Sequence, residues 1–131
     1  MKLAHRSSSP PVVLIVEDEA LIRMNTEDVC EDAGYKVLEA PNADEALSLL
    51  EVRPDVRLVM TDIDMPGSMD GLALAHHVRR SSPQMCLVIA SGKAFPSEQE
   101  LPTGAVFFSK PFQERHLIEV FASLLGRESA T

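Results

Sequence analysis

Six polar residues of this chain stand where chemistry could use them. Glu17 and Asp18 follow the apolar run VVLIV (12–16), and Asp62 and Asp64 follow VRLVMT (56–61). Ser91 follows CLVIA (86–90), and Lys110 lies just past AVFF (105–108). Carboxylates gathered at one place repel, and a pair 4 Å apart is unfavourable by about 4 kcal/mol at an effective dielectric of 20. Such a cluster requires a cation. An oxygen-only donor set selects a hard divalent ion, and Mg²⁺ suits a site with one or two direct carboxylates, retained waters and a phosphate oxygen. A lysine, a hydroxyl and a metal around one carboxylate would neutralise an incoming phosphoryl group and its developing charge. The carboxylate can itself be the nucleophile and form an aspartyl phosphate.

These residues meet only if the elements before them are parallel strands. VVLIV is short, apolar and β-branched, the pattern of a strand buried on both faces, and residues 36–39, 56–61, 86–90 and 105–108 give four more strand candidates. Helical stretches separate most of them. Ile22, Val29 and Ala33 share one face of a helix that Gly34 should end. Asn42 and Glu45 have capping-box spacing ahead of a helix that runs to Pro54. Asp70-Gly71 leads into a third helix, and Leu117, Val120, Phe121 and Leu124 mark a last one, with Gly126 expected to close it. Strands alternating with helices imply an α/β fold, a doubly wound five-stranded parallel sheet. In such a sheet the strand ends share one edge, where ligands bind at the topological reversal. One crossover is weak. Between the last two strands, Pro96 and Pro102 leave room for about one turn, started by the Ser97/Glu100 spacing, so a shortened or irregular fourth helix is expected over 93–103.

Length and composition agree with one ordinary domain. The 131 residues are 45% hydrophobic and 24% charged, which is globular composition. A net charge of −8 argues against a nucleic-acid surface, and 15 of the 20 acids fall in residues 1–70. No apolar run approaches the ~18–20 residues of a membrane span, and MKLAHRSSSPP lacks the apolar core of a secretory signal. The expectation is therefore a cytoplasmic protein without membrane or nucleic-acid partners. Residues 1–10 are expected to be a flexible tail, 11–126 the domain and 127–131 a short C-terminal tail. Cys30 and Cys86 have neither CxxC spacing nor a nearby His, and read as reduced, partly buried thiols. His76 and His77, beside Arg79 and Arg80, read as a solvated helix face.

The runs VVLIVEDE, LVMTDIDMPGSMDGL, LVIASG and FFSKPF resemble the response-regulator receiver domain of two-component signalling, over about residues 11–126. The resemblance implies a flavodoxin-like (βα)5 fold with strand order 2-1-3-4-5, here as a stand-alone domain. It makes Asp62 the phosphoacceptor, fed by a histidine kinase or histidine phosphotransfer protein. Asp18 would bind Mg²⁺ directly (Mn²⁺ could substitute), Glu17 directly or through water, and the Asp64 carbonyl would complete the set with Asp62. Ser91 and Lys110 would engage the phosphoryl group, Ser91 and Phe107 would act as the switch, and the Lys110-Pro111 bond would be cis. Asp64 and Lys93, each two residues beyond a site residue, stand at positions that tune the phosphoryl lifetime in this family; if their side chains pair above the pocket, they would hinder the water that hydrolyses the aspartyl phosphate. The family implies signalling to a downstream target by contact, as a monomer or weak homodimer, without turnover of a free substrate.

This chain departs from the pattern in four places. Glu17 stands where Asp is usual, MPGSMDG is one residue longer than MPxMDG, Phe107 lacks a hydroxyl, and the 93–103 segment is weak. The main rival is a Toprim-like Mg²⁺-dependent nucleic-acid enzyme using Glu17 and Asp62/Asp64, which needs neither Ser91 nor Lys110-Pro111 and fits poorly with −8. A haloacid-dehalogenase-like phosphatase would place its DxD after the first strand, and a scaffold that had lost phosphorylation would not need Asp62, Ser91 and Lys110 together.

Overall fold

The computed structural model describes residues 9–129, with side chains to residue 126. Five parallel strands form one sheet in the order β2-β1-β3-β4-β5: β1 Val12–Val16, β2 Lys36–Ala40, β3 Val56–Asp62, β4 Cys86–Ser91 and β5 Val106–Ser109. Among the described residues the α-helices are α1 Ala20–Asp32, α2 Ala43–Val52, α3 Gly71–Ser81 and α4 Glu114–Ser129. This is the expected flavodoxin-like arrangement. Every residue of β1 is buried, as its unbroken apolar run requires when both sheet faces are covered.

The two faces carry separate cores. On one, Leu14, Val16, Val59 and Ile89 pack with Ala46 of α2 and Leu74 and Val78 of α3. On the other, Val13, Ile15, Met60 and Val88 pack with Cys30 of α1 and Leu117, Phe121 and Leu125 of α4. Phe121 is fully buried and meets Tyr35 edge-on at 5.7 Å between centroids. Truncating a ring so placed to Ala costs about 3–5 kcal/mol.

The helix ends follow the local chemistry. The Asn42 side chain accepts the Glu45 N–H at 2.8 Å, and Asp70 Oδ1 accepts the Ala73 N–H at 2.9 Å, each satisfying an orphan donor of the first turn. Gly34 leaves α1 with φ +99°, the left-handed conformation that glycine adopts without Cβ strain. At the other end of the chain, expectation and structure part. Gly126 does not stop α4, which continues to Ser129; Gly126 keeps a negative φ, so a helix already anchored by Leu117, Phe121 and Leu125 runs through it. The C-terminal tail expected from 127 therefore begins as helix, and residues 130–131 and most of the expected N-terminal tail (1–8) lie outside the described residues.

β5 starts at Val106 rather than Ala105, because the Ala105 N–H is used in a turn to the Pro102 carbonyl at 3.1 Å. The weak crossover is as short as the prolines dictate: a single 3-10 turn, Glu98–Glu100, with the Ser97 N–H bonded to Glu100 Oε1 at 2.7 Å. His76 reaches it from α3, its Nε2 2.7 Å from the Glu100 carbonyl. His76 thus has a structural partner and is not simply solvated. Among the described residues, no helix is long and apolar enough to cross a membrane. Neither Cys30 nor Cys86 is in a disulfide, and burial, with Glu31 and Glu27 nearby, pushes the Cys30 thiol up to about 12, so it carries no thiolate at neutral pH.

One contact ties a helix directly to the strand-end edge. The Gly71 N–H donates to the Ile63 carbonyl at 3.0 Å, and a Cβ added at Gly71 would lie 1.7 Å from the Asp62 carbonyl oxygen and 2.8 Å from Thr61 Oγ1. No side-chain adjustment relieves a clash with backbone. Gly71→Ala should therefore destabilise the domain by about 3 kcal/mol or more, above the usual cost of overpacking, as a lower urea midpoint at unchanged m-value; a midpoint within error of the parent would refute this.

Candidate functional site

The parallel register brings the expected residues to one edge. Glu17 and Asp18 leave β1, Asp62 ends β3, Ser91 ends β4, and Lys110 follows β5. The Lys110 N–H donates to the Ser91 carbonyl at 2.9 Å, which carries the β4–β5 pairing one step past Ser109 and aims Lys110 across the edge. Glu17, Asp18 and Asp62 each offer a carboxylate oxygen within 4.8 Å of the others. Glu17 and Asp62 are buried, and Asp18 is not.

Lys110 holds this cluster together. Its Nζ donates to Glu17 Oε1 at 3.2 Å and forms an ion pair with Asp62 Oδ1 at the same distance. Asp62 Oδ1 is out of line for a hydrogen bond, which leaves a buried carboxylate oxygen without a donor. Burial raises the Asp62 pKa, the Lys110 charge opposes that, and Asp64 and Asp18 add to the rise. Glu17 is likewise raised, first by burial and also by Asp62, against the Glu19 N–H and Lys110. Burial alone would lower Lys110, but Glu17 and Asp62 outweigh it and raise the lysine. The ammonium is therefore charged throughout the neutral range. The Asp62 oxygen, ion-paired with Lys110 but accepting no hydrogen bond, and the convergent carboxylates of Glu17 and Asp18 fit a divalent cation.

Ser91 is fully buried. Its Oγ accepts N–H groups from Lys93 at 3.1 Å and Ala94 at 2.8 Å, capping the strand, and donates to Asp64 Oδ2 at 2.7 Å. This corrects one expectation. Asp64 does not pair with the Lys93 side chain, because Ser91 meets its carboxylate and Lys93 contributes its backbone N–H. Nor does the Asp64 carboxylate join the metal-competent group, in keeping with a part played by its carbonyl alone. Phe107 is half-buried, pairs with Ile89 across the sheet, and packs against the α2/α3 core. The Lys110-Pro111 bond is cis. In the long loop, Gly67 takes φ +117° and Ser68 Oγ donates to Asp44 at 3.1 Å, so the extra residue is absorbed by a clasp to α2.

Two supporting residues escape a motif search. Gly71 is one. The other is Arg23, whose guanidinium donates to the Glu17 carbonyl at 2.8 Å and to Glu39 at 2.7 Å, with Glu27 3.7 Å away. Arg23 thereby fixes the backbone that presents Glu17. The i,i+4 spacing of Arg23 and Glu27 was a visible signal of a pair, but its third partner on β2 was not.

A doubly wound α/β domain with a buried acceptor carboxylate, a lysine and a metal-competent acid group at its strand-end edge defines the class. The family model "Response regulator receiver domain" matches residues 13–122. The chain is 35% identical to the chemotaxis protein CheY of Thermotoga maritima, covering 82% of this chain and 91% of that protein. It is 33% identical to the sensor kinase CckA of Brucella abortus, covering 92% of this chain but only 13% of the kinase. The chain also spans about half (49%) of the aerobic respiration control protein ArcA of Escherichia coli, at 34% identity. Among solved structures, the receiver domain of NtrX from Brucella abortus superposes with a TM-score of 0.79 at 34% identity, covering 87% of this chain and 98% of that one. The chain belongs to the response-regulator receiver family and is a phosphoacceptor domain of two-component signalling; nothing favours the Toprim-like alternative.

The Arg23 cluster sets a pH dependence. Burial first, then Glu39, raises Glu27 to about 7. A carboxyl raised in the folded state adds stability that is full below its unfolded pKa of about 4.5 and lost as pH rises through about 7. Glu27→Gln, neutral at every pH, should melt above the parent at pH 8, and the gap should close by pH 5. Parallel melting curves across that range would contradict the assignment.

Proposed function

We propose that Asp62 accepts a phosphoryl group from a phosphohistidine in a Mg²⁺-dependent step and thereby switches protein contacts. The observation that carries this reading is the buried Asp62 carboxylate, 3.2 Å from the Lys110 ammonium and within 4.8 Å of Glu17 and Asp18. Asp62 attacks phosphorus, the P–N bond to the donor imidazole breaks, and the imidazole leaves with its electron pair and takes up a proton. Lys110 balances the charge that arrives on the phosphoryl oxygens, and Ser91 supplies a hydroxyl donor to them. Glu17, Asp18, Asp62 and the Asp64 carbonyl would hold the Mg²⁺, which supplies charge neutralisation on the transferring group.

The phosphodonor is a histidine kinase or histidine phosphotransfer protein. An apolar groove between α1 and α4, with Leu21, Ile22, Pro111 and Leu117 in its walls, opens beside Lys110 and offers such a protein a face next to Asp62. Leu21 is 81% exposed there. Ser91 and Phe107 form the switch toward the β4–β5 side, where a downstream target reads the state by contact. Acting as a monomer or weak homodimer in the cytoplasm, with residues 11–126 as the working unit, the domain turns over no free substrate.

Incubation with a small acyl phosphate and Mg²⁺ should add the mass of one phosphate to the parent and nothing to Asp62→Asn, and omission of Mg²⁺ should abolish the gain. Lys110→Ala should slow it by about 10²-fold, the usual scale for losing one stabiliser of transition-state charge. No mass gain in the parent would overturn the reading. Lys93→Ala should change the hydrolysis rate of the phosphorylated protein, because Lys93 lies two residues beyond Ser91 and its N–H is bonded to the Ser91 hydroxyl oxygen; rates equal to the parent's would remove Lys93 from the lifetime-setting residues.

A further inference from the structure

A hydroxyl has one proton to give and two lone pairs. At Ser91 all three are in use: the proton goes to Asp64 Oδ2, and the oxygen accepts the Lys93 and Ala94 N–H groups. The residue is fully buried, so no solvent molecule can replace a lost partner. At 2.7 Å the bond to Asp64 is of the short, charge-assisted class, roughly twice as strong as a neutral one. Nothing on Ser91 remains for a group bound at Asp62.

We propose that the Asp64 carboxylate is an internal competitor for the Ser91 hydroxyl, a positioning residue that holds the switch at rest. This rests on the reading of Asp62 as the phosphoacceptor. A phosphoryl group there presents anionic oxygens that seek the same proton, so it must take Ser91 away from one anion to be held by it. Asp64 is therefore a built-in cost on phosphoryl binding.

The exchange reaches beyond the pocket. Swinging the Ser91 oxygen toward Asp62 by a change of its χ1 rotamer withdraws the acceptor from the Lys93 and Ala94 N–H groups. Those two amides begin the crossover that has only one 3-10 turn of regular structure, tied farther on by His76 to the Glu100 carbonyl. The same hydroxyl thus latches the site and the start of the segment, and releasing one releases the other.

Beryllofluoride (BeF₃⁻), a phosphoryl mimic, tests this at saturating Mg²⁺ by calorimetric titration of the parent, Asp64→Ala, Asp64→Asn, Ser91→Ala and the Asp64→Ala/Ser91→Ala pair. Asp64→Ala removes the competitor without touching its backbone carbonyl and should bind roughly tenfold tighter than the parent. Asp64→Asn keeps an acceptor without the charge and should fall between. In the Ser91→Ala background the Asp64→Ala gain should shrink to the roughly two- to threefold left by removing a negative charge. An equal gain in both backgrounds would mean that Asp64 acts by charge alone and would overturn the proposal. A second measurement needs only the parent: hydrogen exchange at the Lys93 and Ala94 amides should quicken about tenfold when BeF₃⁻ binds, and unchanged protection would overturn it. If the parent binds no BeF₃⁻ at all, the acceptor reading fails and takes this proposal with it.

Discussion

Three carboxylates converge within 4.8 Å at the end of the sheet, and the rest of the structure is arranged around their repulsion. At that spacing each uncompensated pair is unfavourable by several kcal/mol at an effective dielectric near 20. That is a large part of a small domain's whole stability. Lys110 supplies the compensation in the resting protein, bridging Glu17 and Asp62. Its position depends on β5 pairing with β4 and on the Lys110 N–H reaching the Ser91 carbonyl. A fold element four strands of sequence away thus secures the charge balance of residues that leave β1.

The backbone that presents the acids is itself constrained from behind. Arg23 grips the Glu17 carbonyl, and the Glu17 side chain in turn accepts the Glu19 N–H at 3.1 Å where α1 begins. Gly71 brings the first turn of α3 against the Asp62 carbonyl, so that helix and acceptor cannot shift independently. Thr61, fully buried, donates its hydroxyl to the same carbonyl at 3.0 Å.

Most of the site was legible in the chain because strand ends in a parallel sheet coincide in space, and apolar runs locate strand ends well. Glu17, Asp18, Asp62, Ser91 and Lys110 needed no more than that. What stayed hidden depends on side-chain direction and on close approach. The spacing of Asp64 and Lys93 suggested a pair, but spacing does not say that the buried Ser91 hydroxyl would compete for the carboxylate. Gly71 looked like an ordinary residue behind a helix cap, since nothing local shows that backbone fills the volume of its Cβ. Gly126 misled in the opposite sense: glycine often follows a helix, but here tertiary packing of the turns before it carries the helix on.

The crossover with a single 3-10 turn divides the domain mechanically. β1, β2 and β3 are braced on both faces by whole helices, while the segment between β4 and β5 is held through Ala94, Leu101 and a few bonds, with Phe95 67% exposed. Segments with few buried contacts open at a small fraction of the global unfolding free energy. Pro96 and Pro102 narrow the set of shapes such an opening can visit. The acid-rich half is then a stiff anvil, and the β4–β5 edge a compliant leaf along one side of the sheet.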